Sequence, residues 1–236
     1  MATLTPVGIL GGTFDPIHNG HLRLAEEVAG LLDLAQIRFI PTGTPPHRAQ
    51  PAASNTHRAE MVRLAIAGNP RFVMDERELI RAGQSYSFDT VTELRATLPP
   101  RTPVVLMMGA DAFLSLPDWH RWRELLEICH IVVAQRPGYG VTSWESALGA
   151  ELWEAFASRS VVNMAPLGRA PGGRIAIHTM TALDISASLL RSQLRSGVSP
   201  RYLLPDAVLE YIHRHGLYST QDAGNGITGS QEISPQ

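Results

Sequence analysis

Val7-Gly8-Ile9-Leu10-Gly11-Gly12-Thr13-Phe14-Asp15-Pro16-Ile17-His18-Asn19-Gly20-His21-Leu22 reads as a strand, a loop and the start of a helix. Val7 to Leu10 is a short apolar run suited to a buried strand, and a helix-like stretch follows from about Gly20 to Leu32. Between them, Gly11 and Gly12 let backbone amides approach a ligand closely, and Pro16 fixes a turn. Free amides and the positive end of a helix dipole favour a phosphate at such a junction. His18 and His21 are three residues apart, so at the head of a helix both rings point to one side, toward the same anion.

Working outward, apolar runs keep alternating with helical patterns. Strands are expected at Gln36 to Ile40, Arg71 to Asp75, Pro103 to Met108 and His130 to Ala134. Helices are expected at Ser54 to Ala67, Phe88 to Leu98 and Trp119 to Glu127. That order implies an α/β fold: a Rossmann-like, doubly wound parallel sheet covered on both faces, with right-handed crossovers. Ligands of such sheets bind beyond the carboxyl ends of the strands, where the strand order reverses. The loops after Leu10, Ile40, Met108 and Ala134 are therefore the places for a site.

The chain of 236 residues fits one domain over residues 1–218, with a small C-terminal helical part at about 184–218. The stretch 219–236 is rich in Gly and Ser and poor in large apolar residues, which is the composition of a disordered tail. Thr42 to Ala53 is a Pro-rich loop of a length often tied to function. A formal charge of -2 with no run of Lys or Arg gives no footprint for nucleic acid, so the substrate is expected to be small. No apolar stretch is long enough to cross a membrane. A single cysteine, Cys129, and the absence of a signal-peptide pattern point to the cytoplasm.

Other chemistries fit the first loop less well. Helical zinc-protease histidines are spaced by four with a Glu between, whereas Asn19 and Gly20 lie between these two. The glycines match neither the dinucleotide fingerprint nor the Walker loop, because G-x-G-x-x-G and the terminal G-K-[ST] are missing. Ser186 is a plausible N-cap before a second helical stretch that places Leu190 and Leu194 one turn apart and ends at Gly197. That gives a second helix start able to face phosphate. For Asp15, a turn-fixing role is expected, since a carboxylate aimed at phosphate opposes binding.

The string His18-Asn19-Gly20-His21 after Gly11-Gly12-Thr13-Phe14-Asp15-Pro16 resembles the H-x-G-H nucleotidyltransferase superfamily, and in particular bacterial nicotinate-nucleotide adenylyltransferases. The resemblance continues in Pro46-His47-Arg48, in the stretch from Glu78 to Ser87, in Gly109-Ala110-Asp111 and in Leu116-Pro117-Asp118-Trp119-His120-Arg121-Trp122. It goes on through Arg136-Pro137-Gly138 and Ile185-Ser186-Ala187-Ser188-Leu189-Leu190-Arg191, and spans roughly residues 5–218. Against the family's I-S-S-T-x-I-R, Ala187 and Ser188 replace the second Ser and the Thr, and Leu190 replaces Ile; Ser188 keeps a hydroxyl. Ser87 likewise stands where the family commonly has Thr.

The resemblance implies transfer of AMP from ATP to nicotinate mononucleotide, giving nicotinate adenine dinucleotide and pyrophosphate in NAD biosynthesis. It implies His18, His21 and Arg191 at the phosphates of the reacting centre, and Gly11, Gly12, Thr13, Phe14, Gly109, Asp111, Arg136, Ile185, Ser186 and Ser188 around ATP. Without the family, Asp111 reads equally well as the N-cap of a short helix. The acceptor falls to His47, Arg48, Tyr86, Ser87 and Trp119, with Trp119 stacked on the pyridine ring and amides near Tyr86 and Ser87 on its carboxylate. Trp122 is expected in the core. No protein metal site is implied; Mg²⁺ is expected on the ATP phosphates. Two rivals remain: an adenylyltransferase for another small acceptor, nicotinamide mononucleotide or phosphopantetheine, and a nucleotide-binding sensor without catalysis. Phosphopantetheine enzymes lack the Ser-Tyr-Ser and Leu-Pro-Asp-Trp-His pair, and the retained histidines and Arg191 argue against the sensor.

Overall fold

The computed structural model describes residues 5–44, 50–135 and 144–219. Its strands are β1 (Val7–Gly12), β2 (Gln36–Pro41), β3 (Phe72–Met74), β4 (Val104–Gly109), β5 (His130–Gln135), β6 (Ser160–Val161) and β7 (Ile175–Thr179). They form one sheet in the order β3-β2-β1-β4-β5-β7-β6, with every pairing parallel. The helices are α1 (Asn19–Leu32), α2 (Asn55–Ile66), α3 (Arg77–Ile80), α4 (Ser87–Ala96), α5 (Ala110–Leu114), α6 (Trp122–Ile128), α7 (Trp144–Ala147), α8 (Ala150–Arg159), α9 (Ala187–Arg195) and α10 (Asp206–Arg214). The doubly wound parallel sheet expected from the alternation is present.

Successive residues of a strand point to opposite faces, and the core divides accordingly. Val105 and Met107 of β4 pack with Leu24, Val28, Met61, Val62, Leu190 and Val208 from α1, α2, α9 and α10. Their neighbours Val104, Leu106 and Met108 pack on the other face with Phe88, Leu94, Phe113, Leu125 and Phe156 from α4, α5, α6 and α8. Both faces are apolar because both are covered, so the strands read as continuous apolar runs.

From β1 the chain moves outward through β2 and β3, then returns to the opposite side of β1 as β4. The strand order reverses between β1 and β4, the point at which ligands of such sheets bind beyond the carboxyl ends of the strands. Pairing persists into the glycines: Gly11 lies opposite Ile40, Gly12 opposite Pro41 and Gly109 opposite Ala134. The four loops singled out in the sequence thus leave one edge together.

Several boundaries differ from expectation for local reasons. Ser54 and Ala67 are the caps of α2 rather than members of it, and the Ser54 side chain accepts from the His57 amide. The helix expected from Trp119 starts at Trp122. Leu116–Asp118, with Pro117 in its first turn, forms a 3₁₀ turn, and Arg121 takes the left-handed conformation (φ 55°) before α6. Trp122 is buried in the core, as expected. The elements β6, β7, α8 and α10 occupy stretches to which the sequence pattern assigned no individual element. No helix among the described residues is long and apolar enough to cross a membrane. The expected tail from 220 onward lies outside the described residues.

Candidate active site

The loop between β1 and α1 is held from below. Asp15 is buried, and its carboxylate accepts from the amides of Ala52 (2.8 Å) and Ala53 (3.0 Å) and from the Tyr218 hydroxyl (2.7 Å). Its expected turn-fixing role is therefore wider: it ties the loop to two distant segments. Arg58, fully buried, donates through Nη1 to the Thr13 carbonyl (2.6 Å). Its Nη2 donates to the Thr42 carbonyl (2.7 Å) and to Asn55 Oδ1 (2.6 Å). Phe14 adopts the left-handed conformation (φ 50°), uncommon for a residue with a side chain, and buries its ring against Phe39 and His21.

His18 is the N-cap residue of α1 and His21 lies in its first turn. Their rings stack with centroids 3.8 Å apart at 23°, while the Phe14 ring meets His21 edge-on at 5.1 Å. The His18 backbone N–H donates to His21 Nδ1 at 3.3 Å. With Nδ1 accepting, the proton of a neutral His21 ring sits on Nε2. Gly20 permits this stack: a Cβ there would lie 3.1 Å from the His18 ring and 3.9 Å from Ile185 Cβ.

The second motif reaches the same loop. Ser186 is the N-cap of α9, its hydroxyl accepting from the Leu189 amide at 3.2 Å, and Ser188 is exposed in the first helical turn. Ile185 is buried beside Gly20. From one turn further along α9, Arg191 Nη1 donates to the Asp15 carbonyl at 2.6 Å and stands 3.7 Å from Asp15 Oδ2. The structure therefore brings His18, His21 and Arg191 around one loop at two helix starts.

The approach to α9 is fastened by Glu27 of α1. Its carboxylate meets His178 Nε2 at 2.7 Å, Arg23 Nε at 2.6 Å and the Thr181 amide at 3.2 Å, and also accepts from the Thr181 hydroxyl. Burial works against the charge, but these donors outweigh it and hold the carboxyl down at about 2.

Of the residues expected around adenosine, Gly109 and Asp111 are exposed at the end of β4 and the start of α5. The N-cap of α5 is Gly109, not Asp111, which occupies the second helical position, so the capping reading of Asp111 is corrected and its carboxylate is left exposed. Arg136, His47 and Arg48 lie outside the described residues.

The two segments expected to hold the acceptor meet. Tyr86 is the N-cap residue of α4 and Ser87 its first residue, so the unsatisfied amides of that helix start where a carboxylate was expected. The Tyr86 ring packs on His120 at 4.5 Å, and the Arg121 guanidinium lies 3.8 Å over the Phe88 ring. Trp119, next in the chain, is half-buried. The Ser85 amide donates to the Thr44 carbonyl (3.0 Å), which binds this segment to the loop after β2. Beneath it, buried Glu78 accepts from Thr90 Oγ1 at 2.7 Å, and burial raises its carboxyl above the usual range.

Arg58 and Tyr218 are the contributors that sequence reasoning missed. Arg58 carries one signal: Met61 and Val62, three and four residues on, share its helix face and are buried, so a cation stands on an apolar stripe. Tyr218 carries none, because its partner is 203 residues away.

The cytidylyltransferase-like family model matches residues 9–193. A relative from Aeromonas hydrophila named "Probable nicotinate-nucleotide adenylyltransferase" is 49% identical over 90% of this chain and 97% of its own length. Relatives of the same name from Dechloromonas aromatica and Pseudomonas syringae pv. tomato are 46% and 48% identical, each over 90% of this chain and over 97% and 93% of their own. Among solved structures, Plasmodium falciparum nicotinic acid mononucleotide adenylyltransferase complexed with NaAD superposes with a TM-score of 0.67 at 14% identity, over 91% of this chain and 97% of that one. At that identity the likeness speaks for the fold. Sequence, topology and the H-x-G-H loop agree: the chain belongs to the nicotinate-nucleotide adenylyltransferase family, within the cytidylyltransferase-like group.

Proposed function

We propose that the protein transfers AMP from ATP to nicotinate mononucleotide, releasing pyrophosphate and forming nicotinate adenine dinucleotide. The observation that carries this reading is the stacked His18–His21 pair at the start of α1, beside a loop whose Asp15 carbonyl accepts from Arg191 of α9. An oxygen of the acceptor phosphate attacks the α-phosphorus of ATP in line, and the bond to pyrophosphate breaks on the opposite side. The protein's work is to position the two phosphates and to neutralise charge as it moves to the leaving group.

In this reading the amides of Gly11 to Phe14 and the start of α1 receive the triphosphate. His21 Nε2–H donates to the phosphoryl oxygens where charge develops, and His18, packed beneath it, fixes that ring and contributes a second donor. Arg191 and Ser188 at the start of α9 take the β- and γ-phosphates, for which a guanidinium fork is suited. Gly109 and Asp111 flank the adenosine.

Among the described residues no three His, Cys, Asp or Glu side chains gather as a metal cage. The imidazole, guanidinium and amide donors of the loop suit phosphate rather than a hard cation, so Mg²⁺ is assigned to the ATP oxygens, where it offsets phosphate charge. On the acceptor side, the pyridine stacks on Trp119 and its carboxylate meets the amides at Ser87. A negative acceptor makes the stronger hydrogen bonds with those amides, which favours nicotinate over nicotinamide. A cytoplasmic setting belongs to the same proposal and is supported by cysteine usage: the sequence holds a single cysteine, Cys129, which is free and cannot form an internal disulfide.

The test is pyrophosphate release from ATP with and without nicotinate mononucleotide. Release that depends on the acceptor, with the dinucleotide formed in equal amount, is the expected result. Nucleotide binding without release would leave only a sensor.

A further inference from the structure

We propose that Arg58 is a positioning residue that locks the phosphate loop and the acceptor-side loop into one geometry; the inference rests on the adenylyl-transfer reading. Arg58 is fully buried, and its direct partners are neutral oxygens: the carbonyls of Thr13 and Thr42 and Oδ1 of Asn55. Asp15 and Glu78 attract the guanidinium electrostatically, while burial opposes its charge. A buried cation without a contacting carboxylate is costly, and carbonyl dipoles compensate it only when several are aimed at it.

The consequence for the loops is geometric. In a trans peptide the carbonyl and the next N–H point in opposite directions. Drawing the Thr13 carbonyl onto Arg58 therefore turns the Phe14 N–H away from the guanidinium. The same holds for the Gly43 N–H through the Thr42 carbonyl. The two loops are also zipped directly, the Thr42 amide donating to the Gly12 carbonyl at 2.9 Å. Gly43 packs so tightly on Glu78 that a Cβ there would lie 2.1 Å from the Glu78 carbonyl oxygen, and Thr44 is bonded to Ser85 next to the acceptor helix. One guanidinium fork thus sets the distance between the ATP-binding loop and the segment that leads to the acceptor. A lysine offers one point of charge on a flexible stem and cannot serve both carbonyls in this geometry.

The experiment compares Arg58→Lys and Arg58→Met with the parent and with Val62→Ala, a core cavity variant in the same helix that controls for lost stability. Two readouts are taken: turnover at saturating ATP and nicotinate mononucleotide, and calorimetric affinity for α,β-methylene ATP, which needs no acceptor. Displacing reacting groups by about 1 Å costs up to about a hundred-fold, so both Arg58 variants should lose between about ten- and a hundred-fold in turnover, Met more than Lys. Both should also bind the analogue more weakly, while Val62→Ala at a comparable Tm keeps both properties. Unchanged turnover and affinity in the Arg58 variants, or an equal loss in Val62→Ala, overturns the inference. If neither Arg58 variant folds, Asn55→Ala at the exposed helix start stands in: reduced turnover supports the inference and unchanged turnover overturns it. A parent that binds the analogue but forms no dinucleotide overturns the adenylyl-transfer reading instead, and the analogue affinities alone then decide the role of Arg58.

Discussion

The Tyr218 hydroxyl donates to Asp15 Oδ1 at 2.7 Å, joining residues 203 positions apart. Burial, reinforced by the Asp15 charge, holds that hydroxyl far above its ordinary range, so it stays a donor at any working pH. Through Asp15 the same contact reaches Ala52, Ala53 and Arg191, so the end of the described chain is part of the foundation of the loop between β1 and α1. Tyr218→Phe removes only the donor. A hydrogen bond to a charged group contributes about 1.5–3 kcal/mol, and urea unfolding should show a loss of that size. An unchanged unfolding midpoint would show that the contact does not stabilise the fold.

His21→Ala removes the donor assigned to the reacting centre. The expected cost is about 3–4 kcal/mol in the transition state, read as a fall in kcat of roughly 10²–10³ at saturating substrates with a smaller change in KM. Near-normal turnover would sink the role given to His21.

The Glu27 carboxyl has a folded value near 2, below the ordinary 4.5. The unfolded chain therefore binds a proton first as the solution is acidified, and the stability contributed by this group is complete above about 4.5 and lost as pH falls toward about 2. A shift of that width corresponds to on the order of 3 kcal/mol. His130 acts in the same sense: burial lowers its value and outweighs the Ala170 carbonyl, which favours the charged ring, while the Arg174 amide donates to Nδ1. Its contribution is present above its ordinary 6.5 and is lost on acidification. Glu27→Gln should flatten the acid limb of the stability profile below about pH 4.5, which unfolding curves across that range will show. A mutant profile parallel to the parent's would refute the assignment.

If the start of α4 receives the acceptor's carboxylate, as proposed, acceptor choice follows from it. kcat/KM should be higher for nicotinate than for nicotinamide mononucleotide, and equal values would remove the basis for the carboxylate site. Trp119→Ala should raise the acceptor KM by up to about ten-fold through the lost stacking while leaving the ATP KM unchanged.

Much of this arrangement was legible in the sequence, for identifiable reasons. The β1–loop–α1 junction announced itself through Gly11, Gly12, Pro16 and two histidines at helical spacing, each with a local physical consequence. Ser186 and Gly197 bracketed α9 in the same way, and Gly197 does adopt a positive φ of 69°. What stayed hidden depends on partners far apart in the chain. Arg58 finds its acceptors in the Thr13 and Thr42 carbonyls, Asp15 meets Tyr218, and Glu27 meets His178 and Thr181. A charged residue read alone defaults to a solvated surface. Only the fold supplies the carbonyls and amides that bring it inside. The misplaced start of α6 has a different origin, since aromatic residues 119 and 122 suggest one helix face whereas Pro117 and the left-handed Arg121 divide the stretch.

Position 43 carries a lesson for anyone wishing to redesign the segment after β2. With the Glu78 carbonyl oxygen 2.1 Å from where a β-carbon would stand, any side chain there must push the neighbouring segment aside. A combinatorial library across the stretch after β2 should therefore keep this glycine invariant and place its variation at neighbours such as the exposed Thr44.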